Sequence, residues 1–133
     1  MNNTDFTALV NRTVDELWDL LNVKGGEYAG SVDRLANFKR GAALTGTTPL
    51  QCALIYFAKH YDALATYIRD EASGVARQRS EPIDGRIADL MNYCLLIKAL
   101  IHESDPHRTP SDVVRAVRQE PATTLSWDDE DES

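Results

Sequence analysis

The chain has 133 residues with 43% hydrophobic and 26% charged side chains, a composition ordinary for one globular domain with a single core. The formal net charge is −7, with no clustered excess of Lys and Arg of the kind that nucleic-acid binding requires. No apolar run approaches the ~20 residues of a membrane-spanning helix, and MNNTDFTALVNRT has no basic region followed by an apolar block, so neither a membrane span nor a secretory signal is expected.

Charge is uneven along the chain. Pro121–Ser133 holds Asp128, Asp129, Glu130, Asp131 and Glu132 and no base, which leaves 14 bases against 16 acids elsewhere. The expected organisation is a helical domain over 1–120 and an acidic, disordered tail over 121–133. Cys52 and Cys94 have no metal-ligand spacing and read as small core residues of a cytoplasmic protein.

Five helical segments are predicted, and no strand. The first spans about Asp5–Asn22, with Leu9, Val10, Thr13, Leu17, Leu20 and Leu21 at helical spacing and Gly25-Gly26 as its end. The second spans about Ser31–Thr45, with Ser31 as N-cap and Val32, Leu35, Phe38, Ala42 and Ala43 on its apolar side. Thr48-Pro49 opens the third, which keeps a stripe of Leu50, Ala53, Leu54, Phe57, Tyr61, Leu64, Ala65 and Ile68 to about Ala72. Ser73–Ser80 is polar, without period, and reads as a loop. The fourth helix runs from Glu81-Pro82 to about Glu103, with Ile83, Ile87, Leu90, Met91, Cys94, Leu95, Leu100 and Ile101 facing inward; a short fifth follows Thr109-Pro110. Four long amphipathic segments with short connections predict an all-α fold, an antiparallel bundle of four main helices plus a short C-terminal helix.

The apolar faces leave several polar groups unexplained. On the fourth helix, Glu81, Asp84, Asp89 and Asn92 fall within roughly 140° of arc, an oxygen-rich side suited to a hard cation such as Mg²⁺. Asp89 and Asn92 lie deep in an apolar stretch, where a carboxylate needs a partner or serves a site; Arg86, three residues away, is one candidate partner. On the third helix, Lys59 and His60 share a face with Tyr56, an arrangement able to grip a phosphate while the ring packs on a base or sugar. Between the first two helices, Lys24, Glu27, Tyr28, Asp33, Asn37, Lys39 and Arg40 crowd into one short stretch. The bland alternative for each is a solvated face, or a structural network without a ligand.

Taken together, KGGEYAGSVDRLANFKRG, AKHYDAL and EPIDGRIADLMNYCLLIKALI resemble small all-α proteins of bacteriophages and prophages, over roughly Asn22 to Glu103. More loosely, the chain is similar to the all-α nucleoside-triphosphate pyrophosphohydrolases, MazG-like and dimeric dUTPase-like. In those enzymes an acid-acid-x-x-acid motif and a later Glu-x-x-Asp hold Mg²⁺; Asp15-Glu16-x-x-Asp19 and Glu81-Pro-Ile-Asp84 have these spacings, and Glu27 with Asp33 are alternative facing carboxylates. The resemblance implies a nucleotide-handling protein, working in the host cytoplasm if phage-encoded; a homo-oligomer is expected because bundles with polar interiors often complete their core and sites across a subunit interface. Glu27, Asp33, Glu81 and Asp89 would be catalytic, with Glu27, Glu81, Asp84 and Asp89 at the metal. Lys24, Tyr28, Asn37, Lys59, His60, Arg86 and Tyr93 would bind the ligand. The implied reaction is Mg²⁺-dependent release of pyrophosphate; the alternative is a non-catalytic sponge for a nucleotide second messenger.

Overall fold

The computed structural model describes residues 1–28, 32–105 and 107. Among them are four helices and no strand: α1 (Asn3–Tyr28), α2 (Ala36–Thr45), α3 (Pro49–Ser73) and α4 (Ile83–Ser104). The Ser31 cap, the fifth helix and the acidic tail lie outside the described residues. No helix among the described residues is long and apolar enough to cross a membrane.

Local chemistry sets several boundaries. Thr48 caps α3: its hydroxyl accepts from Gln51 N at 3.1 Å, Gln51 Oε1 accepts from Thr48 N at 2.9 Å, and Pro49 occupies the first turn. A cap of this kind stabilises a helix by about 1 kcal/mol. Gly46 and Gly74 end α2 and α3 in the left-handed region, at φ 68° and 66°, where a Cβ would be strained. The expected end of α1 at Gly25-Gly26 is not found, since the helix runs through both glycines to Tyr28. The helix-breaking cost of two glycines is only about 1 kcal/mol each, too little by itself to end the helix. The second helix begins later than expected, at Ala36, where the Asp33 carboxylate accepts from Leu35 N at 2.9 Å. Glu81 and Pro82 precede α4 rather than belonging to it.

Packing centres on α3 and α4. His60 meets Asp89, Tyr56 meets Tyr93, and Cys52 and Ala53 share a core cluster with Leu100, so the two helices run antiparallel. α2 lies on α3, also antiparallel, with Phe38 against Tyr56 and Gly41 against Cys52. The Cβ that Gly41 lacks would sit 2.6 Å from the Cys52 sulfur, so this crossing depends on glycine. Phe38 is fully buried, its ring edge-on to Tyr56 and Tyr93 at 6.2 and 6.3 Å. α1 packs along α4.

The core formed this way is small: Leu35, Phe38, Ala42, Cys52, Ala53 and Leu100, with Tyr93, Leu96 and Ile97 packed against it. Many positions expected inside are exposed, among them Val32, Leu54, Tyr61, Ile68 and Leu95. Cys94 is exposed too, contrary to the core role expected for it, while Cys52 is buried. Among the described residues, apolar side chains are therefore exposed on all four helices, Trp18, Leu44, Leu54 and Leu95 among them.

Candidate functional site

A cavity of about 390 Å³ opens where the four helices meet. α1 contributes Leu21, Lys24 and Gly25; α2 and its approach contribute Arg34, Asn37 and Phe38. Tyr56, Lys59 and His60 come from α3, and Glu81, Arg86, Asp89, Asn92, Tyr93 and Leu96 from α4 and the link before it.

Asp89 is the polar centre of this wall. It is 7% exposed, and a carboxylate so placed is held only if paired. The Lys24 ammonium provides the pair, and His60 Nδ1 lies 3.3 Å from the second carboxylate oxygen. That contact is out of line for a hydrogen bond, which leaves Nδ1 without a partner among the described residues although the charge contact is close. Burial pushes the His60 imidazole below its ordinary value. Asp89 pulls the other way, and Arg86, Lys59 and Lys24 reinforce the lowering. The ring stacks on Tyr93, centroids 5.4 Å apart.

Arg86 turns to Glu81, Nε to Oε2 at 3.1 Å, rather than to Asp89 as its spacing suggested. Of the four cations at the cavity, two are therefore matched by its two carboxylates. Arg34 and Lys59 have no ion-pair partner among the described residues. The Arg34 guanidinium occupies the space that a Gly25 side chain would fill: a Cβ there would lie 1.7 Å from its Cζ. Asn92, 6% exposed, has a carboxamide oxygen without a partner among the described residues. Leaving such a group desolvated and unpaired costs about 1–3 kcal/mol.

The sequence-derived candidates divide. Lys24, Asn37, Lys59, His60, Glu81, Arg86, Asp89 and Tyr93 all line the cavity. Glu27 and Asp84 are exposed and do not line it. Asp33 lies outside it and binds Lys39 at 2.8 Å; that contact, with the Leu35 N–H, holds its carboxyl below the ordinary value. Lys39 also bridges to Glu103 of α4 at 2.8 Å. Asp15, Glu16 and Asp19 are exposed on α1, away from the cavity. Tyr28 ends α1. Among the described residues, no three His, Cys, Asp or Glu side chains come together as metal ligands.

Two features were missed in the sequence. Arg34 had a signal in Gly25, which reads as a flexible turn but makes room for a guanidinium. The second is Asp70, buried near the end of α3, where the helix dipole disfavours an acid. Arg77 binds it with Nε at 2.7 Å and Nη2 at 3.2 Å, and Arg79 adds a contact at 3.0 Å. These bonds, that of Arg77 foremost, hold the Asp70 carboxyl below its ordinary range. Arg79 also lies 4.9 Å over the Tyr67 ring. The polar link between α3 and α4 is thus drawn back onto α3, which sets the approach of Glu81 and Arg86 to the cavity.

No protein-family model, no curated protein and no solved structure matches this chain.

Proposed function

We propose that the chain binds a nucleotide in this cavity and holds it without cleaving it. The observation that carries this is the surplus of two cations without an ion-pair partner among the described residues, Arg34 and Lys59, beside the rings of Tyr56 and Tyr93. Unpaired cations attract a phosphate, with Arg34 presenting a planar fork to its oxygens, and aromatic rings suit a base. Binding is favoured over hydrolysis because Glu27 and Asp84 stand away from the cavity while Glu81 and Asp89 are each neutralised by a cation. Resident Mg²⁺ does not fit this donor set; any Mg²⁺ would arrive on the phosphates of the nucleotide. Sequestration of a signalling nucleotide in the host cytoplasm agrees with this chemistry and with the resemblance to phage proteins.

The test is calorimetric titration with nucleoside mono-, di- and triphosphates and cyclic dinucleotides, followed by recovery of the ligand after denaturation. Intact nucleotide is expected. Release of pyrophosphate from a triphosphate would replace binding with the pyrophosphohydrolase activity, and absence of binding across the panel would end the nucleotide assignment.

A second copy of the chain is the proposed partner. On α3, Leu50, Leu54, Phe57, Tyr61, Leu64 and Ile68 alternate at spacings of four and three, the pattern of a coiled-coil seam. Leu54, Tyr61 and Ile68 are more than half exposed along it. A seam of this length is about 27 Å long and about 10 Å wide, on the order of 300 Å² of apolar surface, enough to mark an interaction site. Phe6, Val10, Val14 and Trp18, exposed at four-residue spacing on α1, form a second apolar stripe. Light scattering at micromolar concentration should show a dimer or larger, and Leu54→Glu with Tyr61→Glu should give a helical monomer. A monomeric wild-type chain would overturn the proposal.

A further inference from the structure

The cavity offers two things at its exposed side. Arg34, on the approach to α2, and Lys59, on α3, are exposed cations without an ion-pair partner among the described residues. Tyr56 and Tyr93 line the same cavity with nearly parallel rings, centroids 6.2 Å apart, and Tyr56 is 44% exposed.

The chain itself carries a stretch of matching chemistry. Trp127 stands directly before Asp128, Asp129, Glu130, Asp131 and Glu132, and no base occurs from Pro121 to Ser133. An indole packs on a tyrosine ring as a nucleotide base does. Carboxylates pair with guanidinium and ammonium groups as phosphate oxygens do. One large flat ring beside clustered negative charge is therefore the outline that the cavity fits.

The fold starts this segment close to Arg34. Lys39 of α2 binds Glu103, next to the last residue of α4, at 2.8 Å, and the same ammonium binds Asp33 at 2.8 Å. The end of α4 is thereby held against the stretch that carries Arg34, one position after Asp33. From Asp105 to Asp128 the chain can extend to roughly 80 Å, whereas α4 from Asp89 to Ser104 measures only about 22 Å. Reach is ample.

Resting on the nucleotide reading above, we propose that Trp127–Glu132 is a tethered competitor for this cavity. Without nucleotide, the Trp127 ring packs on Tyr56 and Tyr93, and the acids that follow it pair with Arg34 and Lys59. A nucleotide binds only when the segment is displaced, so its apparent affinity is reduced by the fraction of cavities that stand open. Because the tether makes the contact intramolecular, interactions too weak to hold a separate peptide suffice.

The contact is tested on the wild-type chain, without nucleotide, by zero-length carbodiimide coupling, which joins an ammonium to a carboxylate that touches it. Trypsin releases the segment within one peptide, Gln119–Ser133. That peptide is expected on Lys59, with the Lys39–Glu103 bridge as the internal standard. Coupling to Lys98, which is exposed and does not line the cavity, should be minor. Equal coupling to Lys98 and Lys59, or none to Lys59 while Lys39 couples to Glu103, would overturn the contact.

Competition is tested by calorimetry with adenosine diphosphate. Replacing all five acids by amides (Asp128→Asn, Asp129→Asn, Glu130→Gln, Asp131→Asn, Glu132→Gln) should tighten binding about tenfold, the effect of a segment that fills most cavities. Trp127→Ala should tighten it about threefold. Its net charge is unchanged, so general electrostatics cannot produce that gain. Equal affinity of the three chains would overturn the competition and leave nucleotide binding intact. Adenosine diphosphate binding to none of them would overturn the nucleotide reading and the competition together, even where Lys59 couples to the segment.

Discussion

Lys24, near the end of α1, is ion-paired with Asp89 in the buried middle of α4. The pair joins helices 65 residues apart in sequence and places both side chains on the wall of the cavity. Breaking a fully buried pair costs about 3–5 kcal/mol because one charge is stranded. Lys24 is partly solvated, with 37% of its side chain exposed, so a smaller penalty of about 1–3 kcal/mol is expected for Lys24→Met. Urea unfolding measures it. Adding Asp89→Asn should recover part of the loss; strict additivity of the two changes would mean that the pair is not coupled in solution.

Gly25→Ala separates stability from binding. A methyl group at Gly25 collides with the Arg34 guanidinium, the mobile end of a long and exposed side chain that can move away cheaply. Alanine should also strengthen α1 by up to about 1 kcal/mol. The expected variant is as stable as the parent or slightly more so, yet binds a nucleotide diphosphate about tenfold more weakly because its guanidinium has been displaced. A matched thermal melt and titration check this, and unchanged affinity would remove Arg34 from the site.

Gly41→Ala should act in the opposite direction. The added Cβ meets the Cys52 sulfur at 2.6 Å in the tight crossing of α2 and α3. Overpacking of this kind costs about 1–3 kcal/mol, more than the helix-propensity gain of roughly 1 kcal/mol offsets. Cys52→Ala in the same chain removes the atom that clashes. The double variant should therefore be more stable than Gly41→Ala alone in thermal unfolding.

His60 should make stability depend on pH. Burial lowers its folded-state value below the ordinary 6.5, with Asp89 opposing and Arg86, Lys59 and Lys24 assisting. The unfolded chain then takes up the proton first, so stability is full above about pH 6.5 and falls as pH drops towards the folded value. In His60→Gln this part of the slope between pH 7.5 and 5.5 should disappear, as measured by denaturant midpoints at fixed salt. An identical slope in the variant would show that other groups carry the dependence.

Much of the helical framework was legible because it follows from neighbours in sequence. Thr48-Pro49 announces the start of α3, and the loss of apolar period after Ala72 marks its end within a residue or two of where the helix stops. Burial was less legible. Leu54, Tyr61 and Ile68 keep a perfect apolar period yet are exposed, since periodicity shows that a face is apolar and not what covers it. Gly25 misled for a related reason: a glycine inside a helix looks like its end until a distant Arg34 is seen to need the space.

Sequence alone determined an all-α chain and marked Asp89 as a carboxylate in need of a partner, both consequences of local spacing and of the cost of burying charge. Only the tertiary structure decided that the partners are Lys24 and His60 and that Arg86 serves Glu81. It likewise brought Asn92 into the cavity and left Glu27 and Asp84 outside. Helix periodicity fixes the direction of a side chain about its own axis, whereas ion pairs and cavities depend on how separate helices cross, which is set by contacts such as Gly41 on Cys52 and Phe38 between two tyrosines.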